Sequence, residues 1–331
     1  MKTEEYKYQQ SKLPEEGKYI VANYKLQTIT VYQAFNEKIA DYAVKNQKFG
    51  GSNYSFNRMT WIKPNFMWMM YRSGWATKKN QEKILAIKLK RSGFEKLLEM
   101  AVVSSFKSEL YESREKWKSE LENSEVRLQW DPDHNPTGEK LNRKAIQIGI
   151  KGEILKEFNE SWITEIEDIT DFVKNQHANA KENFDNLIVP FERVLTFNKN
   201  RNVINQIGLD WKPWDIYIEF KVDNSDKFKV LQQIFMELKY EKSKNVIDYE
   251  DNKWKKYFSS KYWIKVDEDP KHYEWLIDAY SSGEYEFLTC DYVSEDTAKL
   301  ICRTWSAPYG GFDPLKELIV NFDFEIVDEW H

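Results

Sequence analysis

Residues 64–75, Pro-Asn-Phe-Met-Trp-Met-Met-Tyr-Arg-Ser-Gly-Trp, constrain this chain more than any other stretch. Six large apolar side chains follow one another without a break. That is far short of the ~18 residues a membrane span requires. It is also apolar all round, so a helix here has no wet face and must be enclosed. Pro64 suits the first turn of such a helix and Gly74 its end. The fold must therefore supply a core large enough to surround it. With 331 residues the chain is long enough for about two domains of ~150 residues each, which need no disulfide or metal staples.

The rest of the composition narrows the class. Twelve Gly and nine Pro exclude collagen-like and Pro/Gly-rich disordered chains. Two cysteines, Cys290 and Cys302, with no Cys-x-x-Cys, argue against a disulfide framework and a multi-Cys zinc site, and for a reducing, cytoplasmic setting. The first residues lack the apolar core of a signal peptide, and no partner membrane is expected.

Local patterns predict an α+β chain. Residues 1–17 read as a flexible N-terminal arm. Residues 18–198 read as a first domain with a mixed or split sheet and flanking helices. Its strands are predicted at 19–24, 27–32, 83–89, 126–130 and 145–150, the last two forming a hairpin across the turn at Asp131–Gly138. Its helices are predicted from Phe35 to Ala43, over 65–72, from a Ser92–Glu95 capping box, over 107–123 and over 152–180. Residues 199–331 read as a smaller, acidic α/β sandwich-like domain. Its strands are expected at 215–222, 261–266, 284–292 and 318–327. Its helices are expected at 225–239, after Asp269-Pro270, after Ser294 as a cap and after Asp313-Pro314.

Charge is unevenly spread. The chain carries 49 basic and 54 acidic residues, net −5, yet ten bases and two acids lie between Arg58 and Lys96. A basic patch on an acidic protein suits an anionic ligand; the plainer alternative is a solvated face whose bases point apart.

The densest constellation interleaves Arg58, Lys63, Arg72 and Lys78 with Trp61, Trp68, Tyr71 and Trp75. Guanidinium and ammonium groups bind phosphate, and aromatic faces stack on bases or a nicotinamide ring. The same pattern also fits a core helix with surface charges at its flanks. A second set is Gln129, Asp131 and Gln147. Alternation aims the two glutamines from adjacent strands into one cleft, where an amide or carboxylate orients a ribose hydroxyl or a water. Turn capping by Asp131 and ordinary strand polarity are the alternative. His134 beside Asp131 and Asp133 is too crowded for zinc and has no second histidine nearby, so no metal is expected. No nucleophile–base pair, Gly-x-Gly-x-x-Gly or P-loop signature occurs. The aromatic loop Trp305–Phe312 is a candidate partner contact.

Several stretches together resemble a known family, domain of unknown function 4291. They are Val31-Tyr32-Gln33-Ala34, Arg58 to Pro64, Phe66 to Trp75, Leu85-Ala86-Ile87, Val126 to Pro132 and Ile146 to Gly149. The resemblance covers residues ~18–195 and implies one compact domain; it carries no activity. A looser, fold-level analogy is to the ADP-ribosyltransferase superfamily, whose split-sheet domains hold NAD between strands. It sets Tyr32, Arg58, Tyr71 and Gln147 in comparable roles, with Gln147 where a Glu is usual and no His on the first strand.

The leading expectation is a nucleotide- or RNA-handling protein, in its sharpest form an NAD-using, ADP-ribosyltransferase-like enzyme. Gln147, Asp131 and Tyr71 are the candidate catalytic residues. Tyr32, Gln33, Arg58, Trp61, Lys63, Arg72, Trp75, Lys78 and Gln129 are the candidate nucleotide-binding residues. The alternatives are a non-catalytic module for single-stranded RNA, or a protein-interaction module of a conflict or defence system that docks a partner through the C-terminal domain.

Overall fold

The computed structural model describes residues 1–25, 27–108, 110–181, 184–195, 201–210, 215–243, 276, 279–280, 285–304 and 312–330. It is α+β and divides into two compact units, Met1–Trp211 and Lys212–His331.

Unit 1 is built on two sheets. The first runs β10 (Ile163–Asp168), β6 (Lys83–Lys90), β4 (Thr28–Phe35), β3 (Val21–Tyr24), β12 (Arg193–Val194), with every neighbour antiparallel. The second runs β2 (Gly17–Lys18), β9 (Lys140–Ile150), β8 (Val126–His134), β7 (Val102–Val103), with β5 (Thr60–Ile62) also paired to β9. Tyr32 on β4 and Lys63, just past β5, exchange backbone hydrogen bonds of 2.7 and 3.1 Å, which joins the two sheets. The expected hairpin is present as β8–β9. Helices α2 (Glu37–Asn46), α3 (Phe66–Ser73), α4 (Arg91–Met100), α5 (Arg114–Asn123), α6 (Gly152–Glu157) and α7 (Thr170–His177) fill the connections.

The six-residue apolar run forms α3. Asn65 caps it, accepting from the Trp68 N–H, and Gly74 ends it at φ 59°, a left-handed position that glycine takes without strain. Pro64 therefore precedes the cap instead of occupying the first turn. Phe66, Met67, Met69 and Met70 pack with Tyr6, Tyr32, Trp75 and Ile84 in one apolar cluster. Of the six apolar side chains only Tyr71, 39% exposed, reaches solvent.

Residues 1–17 are no loose arm. β1 (Thr3–Glu5) pairs with β11 (Ile188–Pro190), and α1 (Tyr6–Ser11) buries Tyr6 and Gln9. Arg193 grips both carboxylate oxygens of Glu4. Gln9 donates to the Pro190 carbonyl at 2.7 Å. These bonds hold the polar segment in place, and their partners, almost the whole domain away in sequence, hide them from a local reading.

The single helix expected over 152–180 is three elements. After α6 and one wide helical turn, the chain extends as β10. Trp162 forces the change: a Cβ on Gly93 would lie 2.5 Å from its Cγ, so the indole sits directly on α4. Ile163 and Ile166 then face β6. The Ser92–Glu95 capping box does not form; α4 begins at Arg91, which ion-pairs with Glu95 at 3.0 Å. The boundary also lies beyond 198. α8 (Arg201–Ile207) belongs to unit 1, where Trp130 Nε1 donates to the Ile207 carbonyl and Gln206 Nε2 to the Ala101 carbonyl.

Unit 2 is one antiparallel sheet ordered β14 (Tyr285–Tyr292), β15 (Thr297–Thr304), β13 (Asp215–Lys221), β16 (Ile326–Trp330). Helices α9 (Ser225–Ser243) and α10 (Phe312–Val320) enclose a core with Ile218, Phe220, Leu231, Phe235, Leu300 and Leu318. Cys290 and Cys302 are buried free thiols there. Ser294 turns the β14–β15 hairpin instead of capping a helix, its hydroxyl bonding Asp296 and Thr297. The last strand begins at Ile326, later than expected, because residues 318–320 finish α10. The strand expected at 261–266, the helix after Asp269-Pro270 and most of the 305–312 loop lie outside the described residues.

No helix among the described residues is long and apolar enough to cross a membrane. No group of three or more His, Cys, Asp or Glu able to hold a metal ion occurs among them either.

Candidate functional site

Strand alternation assembles one face of the β5–β9–β8 ladder. Trp61, Gly149 and Arg127 stand level across the three strands, and Gln147 faces Gln129 one step further on. Lys63 follows Ile62, the partner of Ile148, so it reaches the level of Gln147. Asp131 comes next on β8, opposite Ala145.

The polar groups on this face are ordered by Asp131. Gln129 Nε2 donates to its Oδ1 and Gln147 Nε2 to its Oδ2, each at 2.8 Å. Two amides thus fix the carboxylate, and its remaining lone pairs are available to a hydroxyl or amine donor. Lys63 is only 5% exposed, and among the described residues no carboxylate lies within ion-pair distance of its ammonium. Burial, reinforced by the charge of Arg72, pulls its pKa down to about 8, while Asp131 opposes the shift. Such a buried cation is costly without an anion beside it. Arg127, a half-buried residue, adds a second cation to this face: its Nε is buried with no hydrogen-bond partner.

Trp61 owes its position to Gly149. A Cβ there would lie 2.9 Å from Trp61 Cζ2 and 2.6 Å from Met59 Sδ. Only glycine lets the indole lie flat across the strand. Trp61 is half-buried, so the rest of the ring is available for stacking.

Lys63, Asp131, Gln129, Gln147 and Trp61 therefore share one surface, and Arg72, exposed at the end of α3, is close enough to perturb Lys63. Gln147, expected to be catalytic, donates to Asp131. Tyr71 does other work: its ring lies 3.5 Å from that of His134, nearly parallel, with Trp68 stacked behind. His134 is buried, both ring nitrogens lack hydrogen-bond partners, and desolvation lowers its pKa while Asp133 opposes the shift.

Five expected binding residues fall elsewhere or only at the margin. Tyr32 is fully buried, edge-on to Phe66, its hydroxyl beside Glu192. Gln33 is also buried and donates to Thr60 Oγ1 at 2.6 Å and the Trp61 carbonyl at 3.1 Å, tying β4 to β5. Trp75 is buried, bonded to the Pro136 carbonyl and stacked on His177. Lys78 caps the end of α3 through the carbonyls of Tyr71 and Arg72. Arg58 is exposed and makes no ion pair among the described residues.

Sequence reasoning missed Arg127, although it lies two residues before Gln129 on the same strand face. It also missed a buried polar group around Arg143 and Glu192. Arg143 donates from Nε to Asp133 Oδ2, from Nη1 to the Pro14 carbonyl and from Nη2 to Gln10. Glu192 accepts from the Phe66 N–H at 2.9 Å. Burial first, and Asp133 second, push its pKa well above the carboxylate range. Nothing local in the sequence announces these pairings. A separate open hollow of about 350 Å³ is lined by Ala101, Val102, Tyr111, Lys116, Glu120 and Gln206; none of the expected site residues borders it.

No curated protein matches the chain. Residues 19–195, more than half of the chain, match the family model described as Domain of unknown function (DUF4291), and the chain belongs to that family.

Proposed function

We propose that unit 1 binds a nucleotide on the β5–β9–β8 face. The observation that carries this reading is Lys63, a lysine only 5% exposed and without a carboxylate partner among the described residues, two residues from a glycine-seated indole. Lys63 and Arg72 hold phosphate oxygens. Trp61 stacks on a base or nicotinamide ring. Asp131, aligned by Gln129 and Gln147, accepts a ribose hydroxyl.

The sharpest version is ADP-ribosyl transfer from NAD. The bond between ribose C1′ and nicotinamide breaks, nicotinamide leaves with the bonding electron pair as a neutral base, an acceptor's lone pair bonds to C1′, and the acceptor's proton passes to water. Positive charge develops on the ribose in between. A fixed carboxylate at the ribose hydroxyls stabilises that charge more than it stabilises the ground state. Asp131 fits this role, and Gln147 supports it by holding the carboxylate.

Titration calorimetry of the full chain with NAD, ATP and a short single-stranded RNA tests the binding step. Saturable binding of a nucleotide, weakened about tenfold or more in Lys63→Met, is expected. No heat with any of them at millimolar concentration contradicts the reading. Binding of RNA alone, with a salt dependence set by several phosphates, favours the non-catalytic module instead. Release of nicotinamide from NAD, lost in Asp131→Asn, tests the chemical step.

A further inference from the structure

We infer that the nucleotide this face takes carries a diphosphate, and that Arg127 holds its second phosphate. The inference rests on the binding reading above and adds to it the class of ligand and a residue with no role so far.

Arg127 and Gln129 are alternate residues of β8, so their side chains leave the same face about 7 Å apart. Arg127 stands level with Trp61 and Gly149, and Gln129 with Gln147, the level that Lys63 reaches. The two cations therefore sit one strand repeat apart, on the two strands that flank β9. A single phosphate between them satisfies one fully and the other poorly. Two linked phosphates spanning from β5 to β8 meet both.

The state of Arg127 favours the same arrangement. Its Nε is buried with no hydrogen-bond partner, and among the described residues it makes no ion pair. Buried donors are nearly always satisfied, and an orphan of this kind needs an explanation. A guanidinium is suited to a phosphate through paired N–H donors. Neither flanking carboxylate is paired with it: Glu125 accepts from the Glu153 and Ile154 N–H groups, and Asp131 from Gln129 and Gln147.

The test is calorimetric titration of the full chain with AMP, ADP and NAD. ADP and NAD are expected to bind about tenfold or more tightly than AMP. Arg127→Gln should bring ADP to the affinity of AMP while leaving AMP unchanged, and Arg127→Lys should keep part of the preference. Equal affinity of the wild-type chain for AMP and ADP overturns this inference and leaves the binding reading standing. So does an Arg127→Gln chain that weakens AMP and ADP by the same factor. If none of the three ligands binds, the binding reading falls and this inference with it. Should Arg127→Gln fail to fold, the wild-type preference and the Arg127→Lys chain decide the question by themselves.

Discussion

Gln129 and Gln147 face each other across β8 and β9, and each donates its amide to a different oxygen of Asp131. That symmetry does two things. It locks the carboxylate in one orientation, and it uses up amide N–H groups that would otherwise meet a ligand. What the face then offers is acceptor character at Asp131 and donor character at Lys63, Arg72 and Arg127. A nucleotide, with hydroxyl donors at one end and phosphate acceptors at the other, matches that polarity.

Lys63→Met should stabilise the chain in the absence of ligand while abolishing tight binding. The folded pKa of about 8 lies below the ordinary 10.5, so keeping the amine charged in the fold costs free energy. The cost is fully present below pH about 8 and disappears as pH rises toward 10.5, because the unfolded chain then binds the extra proton. Thermal unfolding at pH 7 should show a gain on the order of 1–3 kcal/mol, shrinking at pH 10. A loss of stability at both pH values contradicts a costly buried cation.

The same titration sets a pH dependence for the ligand. Nucleotide affinity should hold below pH about 8 and fall above it as Lys63 deprotonates. Affinity measured from pH 6.5 to 9.5 checks this; a flat profile removes Lys63 from the phosphate contact.

Glu192 titrates in the opposite sense. Its folded pKa is raised by burial, so the fold binds a proton that the unfolded chain gives up above pH about 4.5. Stability is then lost as pH rises through that window. Glu192→Gln keeps an acceptor for the Phe66 N–H and removes the titration. The variant should match wild type near pH 4 and exceed it at pH 8 in urea unfolding. A larger deficit at pH 8 than at pH 4 contradicts a neutral Glu192.

Gly149→Ala should cost about 1–3 kcal/mol, since its methyl would meet the Trp61 ring at 2.9 Å and the Met59 sulfur at 2.6 Å. The indole must move, so the intrinsic fluorescence should shift and nucleotide affinity drop together. An unchanged spectrum with wild-type affinity would remove Trp61 from the site.

Much of this was legible where the signals are local. α3 announced itself through Gly74 and an uninterrupted apolar run, although Pro64 suggested a start that Asn65 sets. The β8–β9 hairpin followed from alternation on either side of a Pro- and Gly-containing turn, and with it the convergence of Gln129, Asp131 and Gln147. β10 was hidden because Ile163 and Ile166 are also spaced as a helix would have them; the seat of Trp162 on Gly93 decides otherwise. Ser294 misled for a similar reason, since the hydroxyl that caps a helix serves equally well in a hairpin turn. The Glu4–Arg193 pair was beyond reach, with partners 189 positions apart. Tyr32, Gln33 and Trp75 carry aromatic or amide groups that suit a ligand, yet each is buried and spent on the protein itself. Burial of that kind is set by the tertiary fold, which the residue types alone do not reveal.

The central claim is that the buried amine of Lys63 exists to meet a nucleotide phosphate. The most direct measurement is a paired titration of ADP into wild-type and Lys63→Met chains at pH 7, with unfolding curves recorded on the same samples. Saturable binding by wild type, lost or weakened at least about tenfold in a variant that is as stable or more so, is the expected result. Equal affinity in the two chains, or no binding to wild type, contradicts it.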